Sequence, residues 1–255
     1  MKSNLAAYQS RRIVRRYSHS ARDGLSPQEK ECLELVPPAS RGSVLDIGIG
    51  GGRTVEPLSN AFRNYLGIDY SEPMIAAARA QFPGRDLRVM DARRIDGAAQ
   101  FDCAFFSFNG IDAVAFSDRQ LIQKQIYQSL KTGGYFVYST HNLQFSRAAI
   151  WLNQLWVKEL VWPLVPWNKG WKKLVLIPNR LINFWRQNAD SVNNVAYIND
   201  IAETFSYVHA YVDIDHELLR LKSIGFSIVA VMGNTKLVPC YDSMDHYVHI
   251  VAKKN

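Results

Sequence analysis

The sequence lacks long apolar runs and is poor in cysteine. No run of about 18 uncharged apolar residues, the length that crosses the core of a bilayer, occurs in its 255 residues. Its first residues, MKSNLAAYQSRR, lack the continuous apolar segment of a secretory signal. Its three cysteines, Cys32, Cys103 and Cys240, show neither metal-ligand spacing nor a pairing pattern. We therefore expect a cytoplasmic protein in a reducing setting, neither integral to a membrane nor secreted by that route.

Apolar residues make up 47% of the chain, enough for a substantial buried core. Between residues 43 and 140, short apolar runs alternate with amphipathic stretches, a pattern typical of βα units around a parallel sheet. The pattern predicts strands at 43–47, 65–68, 87–90, 101–106 and 135–140, with helices at 54–63, 72–81 and 118–130. Near the end of the chain, DHELLRLKSIGF predicts a helix closed by Gly225, followed by strands at 227–231 and 247–253.

The stretch VLDIGIGGGRT, residues 44–54, carries four glycines directly after the first predicted strand. In an open α/β sheet, ligands bind at the loop after such a strand. Glycines there remove the Cβ atoms that would block a ligand and permit unusual backbone angles. A dinucleotide fingerprint would read G-x-G-x-x-G, but Arg53 stands where the third glycine is required. Asp69, at the end of the second strand, is placed to accept hydrogen bonds from two ribose hydroxyls, so a nucleoside ligand is indicated.

Further polar groups fall at strand ends in the same order: Asp46 in the first, Asp91 after the third, and Ser107-Phe108-Asn109 after the fourth. The motifs VLDIGIGGG, GIDYSEPMI, VMDARRI, FDCAFFSFNGID and LKTGGYFVYSTHN follow one another along the chain. With these motifs, residues 43–142 resemble the class I S-adenosylmethionine-dependent methyltransferases. The helix and two strands predicted near the C-terminus extend the likeness.

The resemblance implies a fold and a cofactor. The fold is an α/β architecture: a seven-stranded, mostly parallel Rossmann-like sheet with helices on both faces and an antiparallel last strand. The cofactor is S-adenosylmethionine, with S-adenosylhomocysteine as product. The implied binding residues are Gly48 and Gly50 at the methionine part, Asp46 at the amine, Asp69 at the ribose, Asp91 and Ala92 at the adenine edge, together with Tyr70, Met74 and Ser107. The sequence departs from the family at Ile49, where cysteine, serine or threonine is frequent, and at Gly51, where threonine is common.

The acceptor decides whether a base is needed, because a sulfonium methyl group is already activated and only a poorly acidic hydroxyl requires proton removal. Three residues near the carboxyl ends of strands are candidate bases: His141 after the fifth strand, Asp112 after the fourth, and His209 before the closing helix. Each has a structural alternative. His141 could cap its strand, Asp112 could cap a helix, and His209 could lie on a strand face or in an aromatic wall with its tyrosine neighbours.

The acceptor class follows by elimination. The loop after the fourth strand lacks the N-P-P-[YF] sequence that marks methylation of base or glutamine nitrogen in this family, and no acidic trio indicates a metal site. An oxygen of a sugar, glycan precursor or other small metabolite is therefore preferred. Two alternatives stay open: a nucleoside-binding module without turnover, and an RNA methyltransferase. The basic segments are too aromatic and apolar for a phosphate track, so a nucleic-acid partner is not expected.

Three regions are expected: an N-terminal helical cap over the cofactor (1–42), a catalytic domain (43–142 and 197–255) and a tryptophan-rich helical insertion (143–196). The insertion holds all six tryptophans. It could bury them against the sheet, roof the acceptor pocket, or lie on an anionic membrane surface. The net charge of +7 is concentrated at Arg11, Arg12, Arg15 and Arg16 and again within 147–186. Beside a small-molecule or sugar acceptor, contact with a membrane or a lipid-linked substrate is therefore open.

Overall fold

The computed structural model describes residues 8–145, 194–199, 208–233, 241–242 and 245–255. The first seven residues and 146–193, most of the predicted insertion, lie outside the described residues. The α-helices are α1 (Arg11–His19), α2 (Pro27–Glu34), α3 (Val55–Ala61), α4 (Glu72–Gln81), α5 (Phe116–Ser129) and α6 (Ile214–Ile224). A short 3-10 helix, Gly110–Ala113, follows the fourth strand.

The strands of the described residues form a nine-stranded sheet. They are β1 (Ser43–Ile47), β2 (Asn64–Asp69), β3 (Leu87–Val89), β4 (Phe101–Phe106), β5 (Leu130–Asn142), β6 (Val195–Asn199), β7 (Val208–Val212), β8 (Phe226–Gly233) and β9 (Tyr247–Lys254). The first five are parallel, in the order β3-β2-β1-β4-β5. β9 runs antiparallel to both β5 and β8. The mostly parallel sheet with an antiparallel last strand is thus confirmed.

The predicted count of seven strands is wrong, since β6 and β7 add an antiparallel pair. β4 ends opposite Tyr138 of β5, and beyond that point β7 pairs with His141 and Asn142. β9 occupies the other edge of β5 over the same stretch, with Tyr247 opposite His141. β7 therefore extends the sheet beyond the carboxyl end of β4. β6 and β7, of five residues each, lie between the βα pattern of residues 43–140 and the predicted closing helix, outside the pattern that predicts the parallel strands. His209, the third candidate base, lies in β7.

Element boundaries differ in accuracy. β1, β4 and α4 begin and end at the predicted residues. α5 begins at Phe116, two residues before the predicted start, and β5 runs from Leu130, directly after α5, to Asn142. β5 is therefore longer than predicted at both ends, and its last residues carry the candidate base His141.

Alternate residues of the central strands enter two different cores, because successive side chains of a strand point to opposite faces. Leu45 of β1 and Phe136 of β5 pack with Ile122 of α5 and Leu221 of α6. Their sequence neighbours Val44, Tyr135 and Val137 pack on the other face with Leu33 of α2 and Leu58 of α3. Helices therefore cover both faces of the sheet, which leaves the strand ends as the accessible edge. Among the helices of the described residues, none combines the length and the apolar character of a membrane span.

Candidate active site

A cavity opens at the carboxyl ends of β1, β2 and β4, the edge at which open α/β sheets bind ligands. The structure brings eight of the nine predicted cofactor residues to its lining: Gly48, Gly50, Asp69, Tyr70, Met74, Asp91, Ala92 and Ser107. The ninth, Asp46, is fully buried in β1 and is not part of the lining.

The glycine loop follows a backbone path that other residues disfavour. Gly48 and Gly50 have φ angles of +67° and +54°, in the left-handed region. A Cβ atom on Gly48 would lie 2.9 Å from Cε2 of Phe106, and one on Gly50 would lie 3.2 Å from Cδ1 of Tyr17. The loop therefore fits closely against β4 on one side and the N-terminal helix on the other.

The N-terminal helix α1 closes one side of the cavity with tyrosines. Tyr8 and Tyr17 line the cavity, and the Tyr8 ring meets those of Tyr17 and Tyr70 edge to face at 6.1 and 6.2 Å. Ile13 of α1 packs against Met74 of α4. The apolar side of α1 thus faces the predicted cofactor residues, whereas its four arginines are exposed.

Asp69 joins the two loops that border the cavity. Its Oδ2 accepts a hydrogen bond from the backbone N–H of Gly50 at 2.9 Å, and its Oδ1 accepts one from Ser71 at 2.8 Å. Burial raises the pKa of this carboxyl, although the two backbone donors act against the shift. Each carboxylate oxygen has a further lone pair. Asp69 can therefore hold the loops and accept hydrogen bonds from a ligand in the cavity.

Asp46 has an incomplete set of partners. Its Oδ2 accepts hydrogen bonds from the hydroxyls of Thr54 at 2.6 Å and Tyr65 at 2.7 Å. Its Oδ1 is buried and has no partner among the described residues. Burial raises the pKa of Asp46 to about 7, against the lowering effect of the two hydroxyls. Among the described residues no cation donates to this carboxyl, and the charge of Arg53 acts on it without a hydrogen bond, so a ligand's ammonium could supply a direct positive partner.

The side of the cavity predicted for adenine contains an arginine that the sequence analysis did not identify. Arg93 lines the cavity and donates to Asp91 from its backbone N, Nε and Nη2. Its Nη1 donates to Asp118 at 3.0 Å. The hydrogen bonds from Arg93 lower the pKa of Asp91. The carboxylate predicted to contact adenine is therefore already engaged within the protein.

Two of the candidate bases, His141 and Asp112, are in direct contact. Oδ2 of Asp112 lies 2.8 Å from both the backbone N and Nδ1 of His141. Oδ1 accepts from the hydroxyl of Thr140 at 2.7 Å and from Arg119. Burial would raise the pKa of Asp112, but the charge of Arg119 and the bonds from His141 lower it below its ordinary value. An ionised Asp112 fixes the Nδ1–H form of the neutral imidazole and leaves the lone pair on Nε2.

A buried ionic network stands behind this pair. Arg119 is completely buried and donates to Asp112 and to Glu217 of α6. Glu217 also accepts from Tyr138 at 2.8 Å and from Gln123 at 2.7 Å. This network is not predictable from the sequence, because a buried arginine on an amphipathic helix has the same pattern as an exposed one.

Aromatic and imidazole rings surround His141. Its ring centroid lies 4.5 Å from that of Tyr211, stacked, 5.4 Å from that of His209 and 5.2 Å from that of His246. Within the described ranges, no three His, Cys, Asp or Glu side chains are arranged to hold a metal ion. The third candidate base, His209, thus lies beside His141 and does not contact Asp112 in the described hydrogen bonds.

The segment after β4 connects the two groups of residues. Ser107, Phe108 and Gly110 line the cavity, whereas His141, Asp112 and His209 do not. Between them, Nδ2 of Asn109 lies 3.3 Å from Nε2 of His141. The predicted cofactor and base residues are therefore neighbours separated by one loop.

Comparison with known proteins also indicates a methyltransferase domain. Residues 44–134 match a family model described as a methyltransferase domain. Nocamycin O-methyltransferase of Saccharothrix syringae is 30% identical over 90 residues, or 34% of this chain and 32% of that enzyme. The chain thus matches about a third of the length of this curated relative.

Solved structures share the fold. An S-adenosylmethionine-dependent methyltransferase of Mesorhizobium loti aligns with a TM-score of 0.58 at 18% identity, covering 90% of this chain and 99% of that one. The 1,6-didemethyltoxoflavin N1-methyltransferase of Burkholderia thailandensis, solved with its acceptor and S-adenosylhomocysteine, also aligns with a TM-score of 0.58 at 18% identity, covering 98% and 88%.

Fold and matched domain point to one class: residues 44–134, from β1 to the beginning of β5, match the methyltransferase-domain model, and the sheet has the fold of solved S-adenosylmethionine-dependent methyltransferases. The family resemblance is confirmed.

Proposed function

We propose that the protein binds S-adenosylmethionine in the cavity beside the glycine loop and transfers its methyl group to a hydroxyl of a sugar, glycan precursor or other small metabolite. The observation that carries the proposal is the junction of the two parts of the site. A nucleoside-sized cavity bordered by Asp69 lies one loop away from a histidine whose lone pair is fixed by a buried aspartate.

The residues at the cavity fit the cofactor in three respects. The glycine backbone at Gly48 and Gly50 has no Cβ atoms to obstruct a methionine tail. Asp69 has lone pairs left for the two ribose hydroxyls. The unpartnered oxygen of Asp46 suits the cofactor's ammonium group, reached directly or through water. Tyr70, Met74, Ala92 and Ser107 complete the proposed pocket.

His141 is the proposed general base. The cofactor, when bound, supplies an activated methyl group on a sulfonium. Nε2 of His141 would take the proton of the acceptor hydroxyl as its oxygen receives the methyl group that the bound cofactor would supply, with S-adenosylhomocysteine as the other product. Asp112 and Arg119 do not touch the acceptor in this arrangement. They orient His141 and balance the charge that it gains.

The assignment of oxygen as the acceptor atom is supported by the contact between His141 and Asp112 and by one relative. The likeness to nocamycin O-methyltransferase supports oxygen. The chain also shares its fold with an N1-methyltransferase, so the fold alone does not determine whether oxygen or nitrogen is methylated. A hydroxyl gains more from a base than a neutral amine does, because the neutral amine is already a good nucleophile, whereas the hydroxyl is a poor one until its proton is removed.

The proposal is tested by incubating the protein with methyl-labelled S-adenosylmethionine and fractionated extract of its own host, then identifying the labelled product. A methyl ether or ester is expected. A labelled amine contradicts the oxygen assignment, labelled RNA supports the RNA alternative, and S-adenosylhomocysteine binding without any labelled product supports a binding module.

His141→Gln separates the two parts of the site. Turnover should fall by about 100-fold or more, because general base catalysis contributes about that much. S-adenosylhomocysteine affinity, measured by calorimetry, should stay within about twofold, since His141 does not line the cavity. Asp69→Ala should give the opposite pattern, with affinity reduced about 100-fold through the loss of bonds to a charged group. The matched control is Asp102→Ala. Asp102 accepts from the backbone N–H of Ser43 at the other end of β1.

The exposed face of α1 supports contact with an anionic surface. Arg11, Arg12, Arg15 and Arg16 are exposed, and the first turn contains no acid. Like charges four residues apart and cations at a helix N-terminus both weaken a helix, so this face is unfavourable for local stability. We propose that it contacts the anionic lipids that surround a lipid-linked acceptor. Retention on anionic but not neutral vesicles, lost when the four arginines become glutamine, is expected; no retention contradicts it.

A further inference from the structure

Asn109 occupies an unusual position between the cavity-lining loop and the proposed base. Its Nδ2 lies 3.3 Å from Nε2 of His141. Its Oδ1 is buried and has no partner among the described residues. A buried amide oxygen without a donor is uncommon in folded proteins and calls for a physical reason. The reason here is the orientation that His141 imposes on the amide.

That orientation follows from Asp112. Because the ionised Asp112 holds the proton on Nδ1 of His141, Nε2 of the neutral ring is an acceptor only. Asn109 must therefore turn its NH2 group towards Nε2, and its oxygen is left on the opposite side. Rotating the amide by half a turn would bring Oδ1 against the lone pair of Nε2, which is repulsive.

The backbone holds Asn109 in place at a cost. Phe108 and Asn109 both have left-handed φ angles, +54° and +55°. Such a conformation costs an L-residue roughly 1–2 kcal/mol, less for asparagine than for phenylalanine. The backbone N–H of Asn109 donates to the hydroxyl of Ser139 at 2.8 Å, and its carbonyl accepts from Asp112 at 3.0 Å. Strain held by specific bonds is frequent at functional sites.

We propose that Asn109 is the positioning residue for the acceptor hydroxyl, an inference that rests on the proposed function. Nε2 has a single lone pair, which Asn109 occupies in the acceptor-free protein. The incoming hydroxyl displaces the amide, donates its proton to Nε2, and accepts a hydrogen bond from the displaced Nδ2–H.

This arrangement selects oxygen over nitrogen. A hydroxyl oxygen has two lone pairs, so it can accept from Asn109 with one and attack with the other. A neutral amine has one lone pair, which a hydrogen bond from Asn109 would occupy and so block attack. The same loop that borders the cavity thus determines which class of acceptor atom is held productively.

The test follows the Nε2 resonance of His141 by NMR of imidazole nitrogens in the full-length protein. Other groups facing this ring are Asp112 on the 3-10 helix, His209 and Tyr211 on β7, and His246 and Tyr247 at the start of β9, with Arg119 behind Asp112. These stay unchanged in variants at position 109, so a change in the resonance reports on the Asn109 contact.

Two variants keep the backbone conformation, since glycine and aspartate both tolerate left-handed angles. Asn109→Gly removes the donor from Nε2. Its Nε2 resonance should move towards that of an unbonded lone pair. Asn109→Asp places there a carboxylate that can only accept, so Nε2 should carry a proton and its resonance should move towards that of a protonated nitrogen. Asn60→Asp, at an exposed position of α3, adds the same charge elsewhere and should leave it unchanged.

The turnover arm uses the acceptor identified from extract. Asn109→Gly should lower kcat/KM for that acceptor about tenfold, the loss of one hydrogen bond, with S-adenosylhomocysteine affinity kept within about twofold. An unchanged Nε2 resonance, or an unchanged kcat/KM, would overturn the positioning role alone. If the wild-type protein binds S-adenosylhomocysteine but transfers no methyl group, the proposed function fails and the positioning role with it.

Discussion

Asp46 and Asp112 are both completely buried near the carboxyl ends of the sheet, yet their surroundings have opposite effects. Asp46 has two hydroxyl donors and one oxygen without a partner, and its pKa is raised to about 7 by burial. Asp112 is bonded by Arg119, Thr140 and twice by His141, and its pKa is lowered mainly by the charge of Arg119 against the effect of burial. With equal burial, Asp46 is therefore partly protonated near neutral pH, whereas Asp112 is ionised.

The difference separates the two parts of the site. At Asp46 and Asp69, the hydrogen bonds come from hydroxyls and backbone N–H groups, and among the described residues no cation donates to either carboxyl. Around His141, the positive charge belongs to the protein, through the completely buried Arg119. The cavity region is thus incomplete without a ligand, whereas the base region is electrostatically complete before the acceptor arrives.

The largest loss of stability is expected from removing Arg119, the buried cation of the base region. Arg119→Met leaves Asp112 and Glu217 buried without their shared cation, and removing one partner of a buried ion pair costs about 3–5 kcal/mol. The free energy of unfolding, from urea titration at neutral pH, should fall by that amount. Arg93→Met, which breaks only half-exposed pairs at the cavity, is the matched control and should cost about 1 kcal/mol or less. Equal losses would remove the contrast between the regions.

A second effect tests the incomplete region through pH. Because the pKa of Asp46 is higher in the folded chain, about 7, than its ordinary value of 3.8, the folded state binds this proton more tightly than the unfolded state. Its contribution to stability is full below the ordinary value and is lost as pH rises through about 7. Asp46→Asn cannot ionise, so its stability relative to wild type should improve by up to about 4 kcal/mol between pH 4 and pH 9. Urea unfolding of both proteins across this range measures the difference.

The ligand sharpens the same comparison. If the cofactor's ammonium pairs with Asp46, the carboxyl loses its proton on binding at pH 6, and calorimetry in buffers of different ionisation enthalpy should detect the release. Asp46→Asn should release none. A stability difference that is independent of pH would show that folding does not raise the pKa of Asp46, and would contradict the contrast with Asp112.

The two regions also differ in how far the sequence predicts them. The glycine loop, Asp69 and Asp91 lie at strand ends in one local stretch, so the βα pattern and a few motifs locate them. The base region joins residues far apart in sequence: Glu217 bonds Arg119 across 98 positions and Tyr138 across 79. His141 and Asp112 are predictable as separate candidates, but their contact depends on packing of α5 and α6 that no local pattern encodes. Similarly, β7 adds His209 beside His141 only because the sheet continues past β4.

The smallest effect concerns the close fit of the cavity region. A Cβ atom on Gly51 would lie 2.3 Å from the backbone carbonyl carbon and oxygen of Tyr17, so Gly51→Ala must shift the end of α1. S-adenosylhomocysteine affinity should fall about tenfold, equivalent to 1.4 kcal/mol, because Tyr17 lines the cavity. Gly84→Ala is the control of opposite kind, since Gly84 has a φ of +83° but nothing within 4 Å of an added Cβ. It should lower stability by strain alone and leave affinity unchanged. If Gly51→Ala binds S-adenosylhomocysteine as tightly as wild type, α1 is not a fixed wall of the cavity. Backbone contact then contributes less to the cavity region than the comparison with the base region implies.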